Sequence, residues 1–171
     1  MNIYVVRHGQ TEANAKNYFN GINTLDLTAI GVKQAEELAP KMENINIDFI
    51  FCSPLKRAIH TANILNVRNK QINIDDRLIE RECGKFTLKP TSLIKDIDAL
   101  YDKEKNKYQD FEPFSEIIKR VASFIQEIKE KYKDKDILVV THGDIILGFQ
   151  EYFNRRDDGY PNTCKLSKFE I

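Results

Sequence analysis

Met1-Asn2-Ile3-Tyr4-Val5-Val6-Arg7-His8-Gly9-Gln10-Thr11-Glu12-Ala13-Asn14 opens the chain. Ile3 to Val6 is a short, continuous, β-branched apolar run, the pattern of a strand buried on both faces. It runs straight into an arginine and a histidine, which must leave the sheet together. Near the other end, Ile137-Leu138-Val139-Val140-Thr141-His142-Gly143 repeats the arrangement. Two buried strands that each deliver a His-Gly to one sheet edge suggest a shared site for an anionic ligand.

Outward from these strands the pattern alternates. Thr28 to Met42 predicts a helix with an apolar stripe at Ala35, Leu38, Ala39 and Met42, and Thr28 as N-cap. Asp48 to Cys52 predicts a second buried strand. Ser53-Pro54 then suggests a helix start, with serine as N-cap and proline at the first helical position. Gln71 to Ile74 is a weaker strand. Glu116 to Tyr132 carries the clearest helical face, through Ile117, Val121, Phe124, Ile125, Ile128 and Tyr132. A helix from about Ile145 to Phe153 follows the Ile137–Val140 strand, and Leu166 to Ile171 alternates like an edge strand. Strands alternating with helices imply an α/β fold with a mostly parallel central sheet flanked by helices. Such sheets bind ligands outside the carboxyl ends of their strands. The stretch 87–113 reads as a short helical insertion over those ends. The charge run Asp102 to Lys107 reads as a solvated helix face.

The 171 residues suit a single domain, 1–171, with one core. Lys+Arg and Asp+Glu are both 26, so the net charge is zero and a general nucleic-acid binder is disfavoured. Cys52, Cys83 and Cys164 are odd in number, far apart and without metal-ligand spacing. That argues against zinc and for a reducing, cytoplasmic compartment. The first apolar run is too short for a signal peptide or a membrane span.

Three strand-to-helix junctions carry the chemistry. The first supplies Arg7 and His8. The second, Cys52-Ser53-Pro54-Leu55-Lys56-Arg57, supplies Arg57, whose side chain leans back toward the strand ends. The third supplies His142. Two arginines and two histidines in one cleft suit a tetrahedral dianion, since arginine grips phosphoryl oxygens through paired N–H donors. Asn14, one helical turn past Thr11, adds a neutral donor, and the helix start after Gly9 adds backbone N–H groups. One histidine can attack phosphorus if a carbonyl holds its other nitrogen and the arginines keep the ring neutral. The leaving oxygen needs a proton, and Glu80 and Glu82 are both candidates. His60, Arg77 and Arg81 read as structural residues. No carboxylate cluster suits a metal, so none is expected.

The whole constellation resembles the histidine phosphatase superfamily, also called the phosphoglycerate mutase-like family. Arg7-His8-Gly9 with Thr11 and Asn14 is similar to its phosphohistidine motif, which implies His8 as nucleophile and Thr11 and Asn14 as phosphate contacts. Phe19-Asn20-Gly21, Leu27 to Gly31 and Gln34-Ala35 match a further family segment, which implies substrate contacts from Asn20 and Gly21. Ser53 to Ala58 with Thr61-Ala62 matches the second arginine motif. Leu78-Ile79-Glu80-Arg81 with Gly84 resembles the acid segment and selects Glu80 over Glu82. Thr141-His142-Gly143 matches the second histidine. Gln10, His60 and Pro113 to Glu116 depart from the family pattern. No arginine lies between Arg81 and Arg120, where the family's mutases carry a longer insertion.

The resemblance implies a three-layer, phosphoglycerate mutase-like sandwich. It implies a cofactor-independent phosphatase of the histidine acid phosphatase type, hydrolysing a small phosphorylated substrate. The alternatives are a phosphoglycerate mutase-type phosphotransferase and a silent phosphate-binding protein. Neither nucleic acid nor membrane is an expected partner, and the oligomeric state is not read from the sequence.

Overall fold

The computed structural model describes residues 1–155 and 158–171. Five strands, β1 (Asn2–Arg7), β2 (Phe49–Cys52), β3 (Ile72–Ile74), β4 (Ile137–Thr141) and β5 (Leu166–Glu170), form one sheet. Its order is β3-β2-β4-β1-β5. The first four run parallel, and β5 pairs antiparallel along β1 at the edge. β4, buried at every residue, is the middle strand, flanked by β2 and β1, as its unbroken apolar run requires.

Alternate side chains point to opposite faces. Val5, Phe51 and Val139 pack against α4 (Phe114–Lys131) and α5 (Gly143–Tyr152). Val6, Ile50, Cys52 and Val140 pack against α2 (Ala29–Glu43) and α3 (Lys56–Leu65). The result is three layers with an apolar core on each side of the sheet. Thr28 caps α2 as expected: its Oγ1 accepts from Gly31 N at 3.1 Å. The stripe read on the fourth helix is its buried face, except that Tyr132 lies at the C-cap, partly exposed.

Four readings need correction. Ser53 does not cap α3; Leu55 does, and the helix starts at Lys56. The reason is that Ser53 still belongs to the sheet edge. Its N–H donates to Val140 O at 3.0 Å, and its hydroxyl is engaged with His142. The helix after Gly9, α1 (Glu12–Ala15), is a single turn, too short to supply a strong dipole. The segment 87–113 is not α-helical. It is irregular chain with 3₁₀ turns at Thr91–Leu93 and Asp98–Tyr101, anchored by Ile94, Leu100 and Phe111 around Cys83. Asp102 to Lys107 is exposed loop rather than helix, tied down by ion pairs from Lys103 to Glu151 and from Lys107 to Asp96.

Candidate active site

The register places the functional residues. Arg7 pairs with Thr141, and Cys52 pairs with Val140, so β1, β4 and β2 end almost level. The residues leaving them are His8, His142 and Ser53. His8 N donates to Thr141 O at 2.9 Å, which holds the two histidine-bearing junctions side by side. Their rings lie 5.0 Å apart. Arg57, in the first turn of α3, reaches back to them: its Nε lies 3.3 Å from His8 Nε2, and its Nη2 donates to Gly21 O at 2.8 Å. His8, Arg57 and His142 are wholly buried.

His8 is set up as a neutral nucleophile. Its Nδ1 lies 2.7 Å from Gly9 O. A carbonyl can only accept, so Nδ1 carries the hydrogen and Nε2 keeps its lone pair. Burial, then the charges of Arg57 and Arg7, hold its pKa well below the ordinary imidazole value. Burial and Arg57 depress His142 in the same way.

Glu80 follows the 3₁₀ turn Asp76–Leu78 that succeeds β3. This segment is strapped to the site. Thr141 Oγ1 donates to Leu78 O at 2.7 Å, and Arg120 of α4 donates to Arg77 O and Ile79 O. Glu80 is 6% exposed, and burial followed by repulsion from Asp144 pushes its pKa up to about 7 despite the opposing Arg57. A carboxyl so placed keeps its proton near neutrality and can act as an acid. Glu82 is exposed, and its Oε1 accepts from Cys83 N and Gly84 N.

Buried polar atoms nearly always find partners. Here Arg7 Nε, Arg57 Nη1 and His142 Nδ1 are buried with none. Three such nitrogens around a neutral histidine are the donor set that a tetrahedral oxyanion needs. His8, Glu80 and His142 also bring potential metal-ligand atoms within 4.8 Å of one another. The fixed charges of Arg7 and Arg57 beside them favour an anion over a divalent cation in the same space.

A cleft of about 670 Å³ opens above, with Arg7, Asn14, Asn20 and Glu80 in its wall. Thr11 is not on that wall. Its hydroxyl is buried against Asn14 Oδ1 and Asn20 Oδ1 at 3.0 and 2.9 Å, so it positions two residues that are. Gly21 likewise sits behind Arg57. Gly143 begins α5, where a Cβ would lie 2.1 Å from Tyr160 Oη. His60 sits on the outer face of α3 against Asp26.

Three residues at the site were not foreseen. Ser53 Oγ lies 2.7 Å from His142 Nε2. Asp144 receives the hydroxyls of Tyr160 at 3.1 Å and Tyr101 at 3.3 Å. Arg120, paired with Glu112, holds the acid segment. Ser53 carried a misleading local signal, because Ser-Pro also marks a helix start. Asp144, one residue past His142-Gly143, could have been flagged from its position.

The family model for the histidine phosphatase superfamily (branch 1) matches residues 3–168. The adenosylcobalamin/alpha-ribazole phosphatase of Escherichia coli (strain K12) is 31% identical over 153 residues, 85% of this chain and 75% of that protein. The 2,3-bisphosphoglycerate-dependent phosphoglycerate mutase of Cytophaga hutchinsonii is 33% identical over 168 residues, 90% of this chain and 77% of that one. The crystal structure of the alpha-ribazole phosphatase from Shigella flexneri matches with a TM-score of 0.84, covering 100% of this chain and 91% of that one at 24% identity, a likeness of fold.

Proposed function

Because this chain belongs to the histidine phosphatase superfamily (branch 1), we propose that it is a phosphomonoesterase acting through a phosphohistidine on His8. The observation that carries this reading is the neutral His8, its Nε2 unprotonated and accepting from Arg57 Nε at 3.3 Å, beside three unpartnered buried donors. The lone pair of His8 Nε2 attacks phosphorus as the ester P–O bond breaks. Glu80 delivers its proton to the leaving oxygen and, as carboxylate, takes one from the water that cleaves the phosphohistidine. Arg7, Arg57 and His142 hold the non-bridging oxygens, with Asn14, Asn20 and the Gly143 N–H at the edge of the pocket. Thr11 and Gly21 act through Asn14, Asn20 and Arg57.

The histidine acid phosphatase type is the finer part of the proposal, supported by a raised Glu80 and a depressed His8. No metal or cofactor enters the mechanism. A reducing, cytoplasmic setting and a lack of nucleic-acid partners are supported by three free cysteines and zero net charge. Among the described residues, no helix is long and apolar enough to cross a membrane.

Likeness to a mutase favours a second reading, return of the phosphoryl group to another hydroxyl. The lack of arginine between Arg81 and Arg120 places water ahead of it. Incubation with a phosphomonoester panel should release inorganic phosphate. Rapid acid-free quenching with intact-mass analysis should trap one phosphoryl adduct, and His8→Ala should lose both signals. An adduct that persists in His8→Ala would overturn the assignment, and transfer faster than release would favour the mutase.

A further inference from the structure

The cleft wall carries two side chains that the phosphoryl chemistry leaves unused, Arg81 and Asp144. Arg81 follows Glu80, and its backbone N–H donates to Glu80 Oε1 at 2.9 Å. The pair therefore stands beside the acid, where the leaving group must lie. Arg81 is 1% exposed and firmly held. Its Nε donates to Glu112 O at 2.7 Å and its Nη2 to Leu100 O at 2.8 Å. Its guanidinium lies over the rings of Phe111 and Tyr101. That leaves Nη1, which is buried without a hydrogen-bond partner.

Asp144 is fixed through one oxygen. Its Oδ1 accepts from Tyr160 at 3.1 Å and from Tyr101 at 3.3 Å. Among the described residues, its Oδ2 accepts no hydrogen bond, and Arg81 Nη1 lies 3.5 Å from it. The two charges balance, yet a free donor and a free acceptor face each other without bonding. Each is held from its far side, so the gap stays open. Buried polar groups seldom go unpaired unless a ligand or water completes them. An oxygen within reach of both atoms would complete this pair if it accepts from Arg81 and donates to Asp144. A hydroxyl does both. A carboxylate has no proton to give, and an ammonium has no lone pair to offer.

We infer that Arg81 and Asp144 form a subsite that reads a hydroxyl on the leaving group, so that the substrate is the phosphate monoester of a polyol or sugar. This rests on the phosphatase reading of the adjoining site. The cleft, at about 670 Å³, has room for a body of that size. Tyr101 and Tyr160 are positioning residues, because they hold Asp144 away from Arg81.

The test compares kcat/KM within pairs that differ only by hydroxyls: glycerol 1-phosphate with propyl phosphate, and glucose 6-phosphate with tetrahydropyran-2-ylmethyl phosphate. A hydroxyl that finds no partner in the cleft costs desolvation and favours the bare ester, so the sign of the preference is informative. The hydroxylated member should win each pair by about tenfold or more. Asp144→Asn keeps the shape, but its amide oxygen is drawn to the two tyrosine hydroxyls, which turns an NH₂ toward Arg81 where the acceptor stood. The preference should then fall by about tenfold. Tyr160→Phe, at a half-exposed position, should lower it too, by freeing the carboxylate to close on Arg81. Comparing ratios cancels both a general loss of rate and the differing acidity of the alcohols. Equal or faster turnover of the bare esters, or a preference that survives both substitutions, would overturn the inference while leaving the phosphatase reading intact. Failure to hydrolyse any ester, with no adduct on His8, would bring down both.

Discussion

At the residue scale, the proposed mechanism turns on Glu80 and Ser53. Glu80 has its pKa raised to about 7. It is therefore protonated below that value and loses its transferable proton above it. His8, depressed by burial and Arg57, stays neutral through the same range. For alkyl phosphates, kcat/KM should fall as the pH rises above about 7, roughly tenfold per unit. Glu80→Gln should abolish that limb and cost on the order of 10²–10⁴-fold. With nitrophenyl phosphate, whose aryloxide leaves nearly unaided, the burst rate should suffer much less. Equal burst losses on both leaving groups would make Glu80 a structural residue.

In the proposed mechanism Ser53 acts through His142, whose Nε2 lies 2.7 Å from its hydroxyl. Its hydroxyl accepts from Leu55 N at 3.3 Å and is free to donate to His142 Nε2, leaving the hydrogen of that ring on Nδ1, where an oxyanion would need it. Ser53→Ala should lower kcat about tenfold, the scale of one lost hydrogen bond. The ¹⁵N shifts of His142 should change from one tautomer to a mixture. An unchanged tautomer would remove Ser53 from the mechanism.

At the element scale, the site depends on how closely α2 meets the loop after β1. A Cβ on Gly31 would lie 2.2 Å from Gln10 O, and one on Gly9 would lie 2.4 Å from Gly31 O. Both close neighbours are backbone, so neither contact can be relieved by turning a side chain. Gly9 O is also the acceptor that fixes the His8 tautomer. Gly31→Ala should therefore destabilise the fold by about 1–3 kcal/mol and reduce phosphate release as well, because the His8 loop must move. The neighbouring Ile30 is 58% exposed, and Ile30→Ala should leave both nearly unchanged. Urea denaturation and turnover of the two variants would check this contrast.

At the scale of the whole molecule, the site should set how stability varies with pH. His8 and His142 are buried with folded pKa values well below the ordinary 6.5. The stability they confer is present above that pH and lost as the pH falls, because the unfolded chain takes up protons there and the folded chain does not. Glu80 works the other way. Its folded pKa of about 7 lies above its ordinary 4.5, so its contribution is present at low pH and lost as the pH rises through 7. From about pH 6.5 to 5 the unfolded chain goes from about one to about two protons on these histidines while the folded chain holds one on Glu80, so the net difference grows from near zero to about one. Unfolding free energy should thus decline with falling pH, by on the order of 1 kcal/mol per unit. Glu80→Gln should steepen the decline. A flat profile over that range would show that the site groups are not held as described.

The sequence by itself determined the layered α/β fold and most of the site. Buried strands must read as unbroken apolar runs, and Arg7, His8 and His142 leave theirs within a residue of the end, so their meeting at one edge follows from parallel pairing. Arg57 was legible for the same reason, one short turn past β2. From the residues alone, Glu80 and Glu82 were equivalent; only packing separates them, burying the first beside Asp144 and leaving the second in solvent. Ser53 was misread because its local pattern favours a helix cap, whereas sheet pairing to Val140 and the nearness of His142 override that preference. The 87–113 segment lacks a strong period of its own, and its path is set by burial of Ile94, Leu100 and Phe111 around Cys83. The charge of the cleft wall depends on where Arg81 and Asp144 come together across 63 residues of chain. Such long-range pairing of charges leaves no local trace, so the tertiary structure alone decided it.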